Sequence, residues 1–126
     1  METIKIAGTE DTPSVTLDTG SQLLEIAGRS LPEDVAVFYN PVLDWLDKYS
    51  ENPMAKTVFN FKLTYFNTAS SKMILDVMMK LESLHAVGKE VLVKWFYPED
   101  DEDMKEAGAE YADIVDIPFE QVGYNS

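Results

Sequence analysis

Between residues 57 and 66 apolar and polar side chains alternate, with Phe59, Phe61, Leu63 and Tyr65 on one parity and Asn60, Lys62 and Thr64 on the other. A period of two predicts a strand that buries one face. Further along the period lengthens: Ile74, Val77, Met78, Leu81 and His85 fall on or near one stripe of a helix expected from about Ser70 to Ala86, with Gly88 as its stop. Lys72, Asp76 and Lys80, at steps of four, can pair along its open side. Val91 to Tyr97 is again strongly apolar. Strand, helix, strand in that order implies a right-handed crossover between parallel strands.

The flanking segments read less sharply. Ile4 to Ala7, Ser14 to Leu17 and Leu23 to Ala27 are short strand candidates, the last two joined by the turn Asp18-Thr19-Gly20-Ser21, so they should enter the sheet antiparallel. Pro32-Glu33-Asp34 suits a first helical turn, and Val35, Phe38, Val42, Trp45, Leu46 and Tyr49 follow at helical spacing. Pro41 lies inside that stripe; an interior proline costs about 3 kcal/mol in a straight helix, which predicts a kink or two abutting helices. Met104, Ala107 and Tyr111 indicate a last helix that Gly108 weakens, and Ile114 to Ile117 a final strand ended by Pro118. The expected architecture is one α/β domain over residues 1–126, a mixed β-sheet with helices packed mainly on one face.

Composition narrows the function. The chain has 126 residues, 45% of them hydrophobic, enough to bury a core. Its formal charge of −13 would repel phosphate backbones and anionic lipid surfaces, which argues against nucleic-acid and membrane partners. With no cysteine and a single histidine, His85, thiol chemistry and the usual metal sites drop out, and no metal or cofactor is expected. The acidic run Glu99-Asp100-Asp101-Glu102-Asp103 lacks the glycine-centred spacing of a calcium loop and reads as a solvated loop or helix start. The N-terminus lacks the apolar core of a signal peptide and no apolar run reaches membrane-spanning length, so a cytoplasmic protein is expected.

No catalytic constellation stands out. Pairs such as Asp44 with Asp47, or Glu99 with Asp101, arise by chance among so many carboxylates, and there is no phosphate loop or nucleophile elbow. The chain does not read as an enzyme. The informative stretch is Tyr65-Phe66-Asn67-Thr68-Ala69-Ser70-Ser71-Lys72, a hydroxyl-rich turn between the aromatic strand and the amphipathic helix. A helix start carries unpartnered N–H groups and the positive end of the macrodipole, which suit an anionic oxygen. Asn67, Thr68, Ser70 and Ser71 are all favoured N-cap residues as well, and local physics alone reads the turn as a cap before it reads it as a switch.

Three stretches change that balance: Ile6-Ala7-Gly8-Thr9-Glu10-Asp11-Thr12-Pro13, Tyr39-Asn40-Pro41-Val42-Leu43-Asp44-Trp45, and the turn itself. Together they resemble the bacterial SiaC family of regulatory phosphoproteins, end to end. The resemblance implies a fold similar to the STAS-type anti-sigma-factor antagonists and makes Thr68 the phosphoacceptor. Asn67, Ala69, Ser70, Ser71 and Lys72 would shape the turn, with Ser70 or Ser71 as alternative acceptors and Lys72 as a cation that could neutralise a phosphate. It further implies a dedicated Ser/Thr kinase, a PP2C-type phosphatase, and a diguanylate cyclase that the unphosphorylated protein binds and activates. The sequence does not fix the oligomeric state, and a monomer is the expectation for the free chain. Two other readings stay open: an antagonist that sequesters an anti-sigma kinase, and a small-ligand binding domain in which Thr68 only caps the helix. Asn67 and Ala69-Ser70 depart from the antagonists' usual Asp and Ser-Gly, which points away from a sigma-factor partner.

Overall fold

The computed structural model describes residues 1–125. Nine elements follow in order: β1 (Ile4–Ile6), β2 (Ser14–Asp18), β3 (Leu23–Ser30), α1 (Val35–Tyr49), β4 (Lys56–Phe66), α2 (Thr68–Ala86), β5 (Glu90–Pro98), α3 (Glu102–Ile114) and β6 (Phe119–Tyr124). The strands lie side by side in sequence order, β1 to β3 antiparallel and β3 to β6 parallel. The β2–β3 hairpin closes on Asp18, whose carboxylate accepts from the Gly20 N–H at 2.9 Å and the Ser21 hydroxyl at 3.0 Å. Each parallel step is spanned by one helix. Crossovers of one hand that all step the same way along a sheet place their helices on the same face.

Burial agrees with that arrangement. Phe59, Phe61 and Leu63 of β4 and Val91, Val93 and Trp95 of β5 are buried beneath the helices, whereas Val58, Asn60, Lys62, Leu92, Lys94 and Phe96 on the opposite face are only half-buried. A mixed sheet with its helices mainly on one face is therefore the fold. No helix among the described residues is long and apolar enough to cross a membrane.

Several local expectations give way to tertiary effects. Asp34 is the N-cap of α1, accepting from the Val37 N–H at 3.2 Å, so Pro32-Glu33-Asp34 precede the helix instead of forming its first turn. Pro41 does not break α1, which runs unbroken from Val35 to Tyr49. The carbonyl deprived of its donor is that of Val37, a residue 69% exposed, and water can replace the missing N–H there. Lys80 turns away from its own helix to Asp47 of α1, 2.7 Å, while Lys72 and Asp76 pair as expected at 3.2 Å. The last strand begins after Pro118: Ile114 closes α3, Val115 and Ile117 are buried below it, and the Pro118 carbonyl accepts from the Val93 N–H at 3.0 Å. A proline without an N–H fits at the entry of a strand.

The largest departure lies at the end of β4. Gly28 pairs with Leu63 but Arg29 pairs with Tyr65, leaving Thr64 as one extra residue opposite Gly28, whose φ is 107°. One inserted residue reverses the parity of everything after it. Tyr65, expected to point inward with Leu63, is instead 47% exposed beneath the Arg29 guanidinium, and Phe66 turns in against Trp95 and Tyr111, ring centroids 6.0 and 6.3 Å apart.

Candidate functional site

The bulge aims the chain into α2. Asn67 takes the N-cap with extended backbone, φ −88° and ψ 175°, and its side-chain oxygen accepts from the Ser70 N–H at 2.9 Å. The Ser71 N–H is taken by the Asn67 carbonyl at 2.9 Å, and first-turn geometry leaves the N–H groups of Thr68 and Ala69 without a helical partner. Replacing Asn67 with alanine should cost about 1 kcal/mol of stability, measured as a fall in the denaturant midpoint at constant slope.

The four candidate hydroxyl and amide caps thus have different fates. Thr68 is the first helical residue, exposed, and among the described residues its hydroxyl has no protein partner. The Ser71 hydroxyl folds back onto the Thr68 carbonyl at 2.6 Å. Ser70, the other alternative acceptor, is fully buried, so its hydroxyl is out of a kinase's reach while the turn stays folded. Ala69 is exposed, and the Lys72 ammonium is held at Asp76.

Beneath the turn runs a chain of buried hydroxyls. Ser70 Oγ donates to the Ser30 carbonyl at 2.9 Å, Ser30 Oγ donates to Ser70 Oγ at 2.9 Å, and Tyr39 sits 2.6 Å from Ser30 Oγ. Each serine proton is committed, so the Tyr39 hydroxyl is the donor in the last contact. Burial raises the Tyr39 pKa against the lowering effect of Ser30 and Ser70, which keeps that proton in place. On the other side, the Tyr111 hydroxyl donates to the Ser71 carbonyl at 2.8 Å, and its pKa is likewise raised, first by burial and then by Tyr39 and Glu110. The first turn of α2 is therefore pinned to β3, α1 and α3 together. The sequence pattern did not single out Ser30, Tyr39 or Tyr111 for this role; their hydroxyls meet only because three separate elements converge.

A groove opens beside the turn. Two adjoining hollows of about 240 and about 320 Å³ share Phe66 and Ala107; the first reaches Tyr65 and Asp103, the second Lys72, Leu75, Glu110 and Ile114. Lys72 and Leu75 of α2 face Asp103, Ala107, Glu110 and Ile114 of α3 across the groove, the latter recurring at steps of four, three and four along their helix. Among the described residues, the exposed large hydrophobics Tyr65 and Ile114 line this region. Thr68 lies one helical turn before Lys72, on the same stripe of α2.

One carboxylate of each pair noted in the sequence is engaged elsewhere. Asp47 holds Lys80, and Asp101 caps α3 by accepting from the Met104 N–H at 3.0 Å. His85 lies half-buried in the last turn of α2, and among the described residues no group of three or more His, Cys, Asp or Glu side chains could hold a metal ion.

Comparison with known proteins places this geometry. The model of the SiaC family of regulatory phosphoproteins matches residues 6–124. An uncharacterized protein of Pseudomonas aeruginosa strain UCBPP-PA14 is 29% identical over 119 residues, 94% of each chain. Crystalline apo-SiaC from Pseudomonas aeruginosa superimposes with a TM-score of 0.88 at 28% identity, covering 97% of this chain and 99% of that one. SiaC from the same organism, solved in complex with the diguanylate cyclase SiaD that it activates, gives a TM-score of 0.91 at 27% identity, covering 96% and 99%.

Proposed function

The chain belongs to the SiaC family of regulatory phosphoproteins, and from that premise we propose that it is a partner-switching regulator, one domain over residues 1–126, controlled by reversible phosphorylation of Thr68. A dedicated Ser/Thr kinase adds the phosphate, a PP2C-type phosphatase removes it, and the unphosphorylated form binds and activates a diguanylate cyclase, as SiaC does for SiaD in Pseudomonas aeruginosa. The protein itself carries no catalysis in this scheme; it acts by docking, from the cytoplasm.

One observation carries the reading. At a helix start where Asn67 caps, Ser70 is buried and Ser71 is turned back on the chain, Thr68 is left exposed, its hydroxyl without a partner among the described residues. The uncommitted N–H groups of Thr68 and Ala69 would receive the phosphate oxygens, so modification needs no local unfolding. The groove between α2 and α3 is the docking surface in this reading, and a phosphate on Thr68, one helical turn before the lining residue Lys72, obstructs a partner laid along it.

The test is intact-mass measurement after incubation with the cognate kinase, followed by mapping of the modified residue and purification of the unphosphorylated chain with its partners. One phosphate on Thr68, lost in Thr68→Ala, and a co-purifying cyclase are expected. Labelling that persists in Thr68→Ala refutes the acceptor, and a complex with a kinase alone favours the anti-sigma-antagonist reading.

A further inference from the structure

Asn67 and Ser70 are both tied to a single backbone oxygen. The Ser30 carbonyl, at the end of β3, accepts from the Asn67 N–H at 3.3 Å and from Ser70 Oγ at 2.9 Å, while Asn67 Oδ1 accepts from the Ser70 N–H at 2.9 Å. Thr68 and Ala69 are the residues between these two anchors. An apolar residue at position 70 would leave the buried Ser30 hydroxyl proton without its acceptor, so Ser70 contributes stability as well as direction. Resting on the reading that Thr68 is the phosphoacceptor, we infer that Ser70 is a positioning residue for that reaction. By clamping the first turn of α2 to the Ser30 carbonyl, it fixes the angle at which the Thr68 hydroxyl leaves the surface and keeps the Ser71 hydroxyl folded back.

Phosphoryl transfer depends on alignment of the attacking oxygen, and misplacement by about 1 Å costs on the order of a hundredfold. Releasing one of two anchors should loosen the turn by less than that. Two substitutions separate positioning from general stability. Each strands one buried hydroxyl, Ser30 Oγ in Ser70→Ala and Tyr39 in Ser30→Ala, but only Ser70→Ala cuts the link to the Ser30 carbonyl.

The experiment is steady-state phosphorylation by the cognate kinase with site mapping, on chains whose thermal unfolding is measured in parallel. In Ser70→Ala, kcat at Thr68 should fall about tenfold with KM little changed, and part of the phosphate should move to Ser71. Ser30→Ala should lower the melting temperature yet keep phosphate on Thr68 at the wild-type rate. Ser70→Cys, which retains the shape with a weaker donor, should lie between wild type and Ser70→Ala and serves if the alanine variant does not fold. The inference is overturned if Ser70→Ala, or Ser70→Cys in its place, is modified on Thr68 alone at the wild-type rate, or if Ser30→Ala slows the reaction equally. A wild-type chain labelled at a residue other than Thr68 would instead overturn the phosphoacceptor reading itself.

Discussion

Phosphate on Thr68 is expected to weaken cyclase binding by about a hundredfold or more, read by titrating the purified cyclase with the phosphorylated and the unphosphorylated protein. A phosphoryl group brings about −1.5 to −2 charge at neutral pH. Covering it with a partner removes its water, and an uncompensated buried charge costs several kcal/mol, against the roughly 2.7 kcal/mol that a hundredfold change in affinity requires. Beyond the Thr68 and Ala69 N–H groups, little on this surface offsets that cost: Lys72 on the same stripe as Thr68 already pairs with Asp76, and the facing wall carries Asp103 and Glu110. Thr68→Ala should bind like the unmodified chain and escape the kinase. Equal affinities for the two forms would refute control by obstruction. The amide spectrum separates this mechanism from refolding, because the Ser30 and Tyr111 anchors should confine changes to the turn and α2; shifts spread through the core would show refolding.

Gly108→Ala should destabilise the fold by about 1–3 kcal/mol, the magnitude of overpacking a filled core. The sign is the point of the experiment. In an open helix the same change would gain roughly 0.5–1 kcal/mol, because glycine is the poorer helix former. Here a Cβ at position 108 would lie 2.5 Å from Trp95 Cδ1, and the indole is held in place: it is fully buried, packs against Tyr111 at a 49° tilt with ring centroids 5.4 Å apart, and donates from Nε1 to the Met104 carbonyl at 2.9 Å. Urea unfolding at constant slope measures the change, and a gain in stability would show that α3 can shift away from the sheet. Because α3 forms one wall of the groove, such a shift should also weaken cyclase docking.

That glycine illustrates how far local reading reaches. Read along the helix alone, Gly108 looked like a weakness in α3; against the sheet it is the gap that seats Trp95. The alternation in β4 holds from Thr57 to Leu63 and then fails at Thr64, because the extra residue answers to the backbone of β3 and not to its own neighbours. Pro41 is tolerated because the carbonyl it strands faces water, a fact set by which side of α1 packs inward. By contrast the caps at Asp18, Gly88 and Asn67 rest on side chains or backbone within a few residues, and such contacts can be read from spacing.

What the sequence determined by itself was the order of elements, the parallel core around β4, α2 and β5, an excess of acid that argues against polyanionic partners, and a hydroxyl-rich helix start. These follow from periodicity, charge and capping preference, which act over one or two turns of chain. Only the tertiary structure decided which hydroxyl in that turn is free. Ser70 is held inside by Ser30, 40 positions earlier, and by Tyr39 from a third element, while Thr68, two residues before it, is exposed and its hydroxyl has no protein partner among the described residues. Burial is a property of what packs over a residue, and no local pattern contains it.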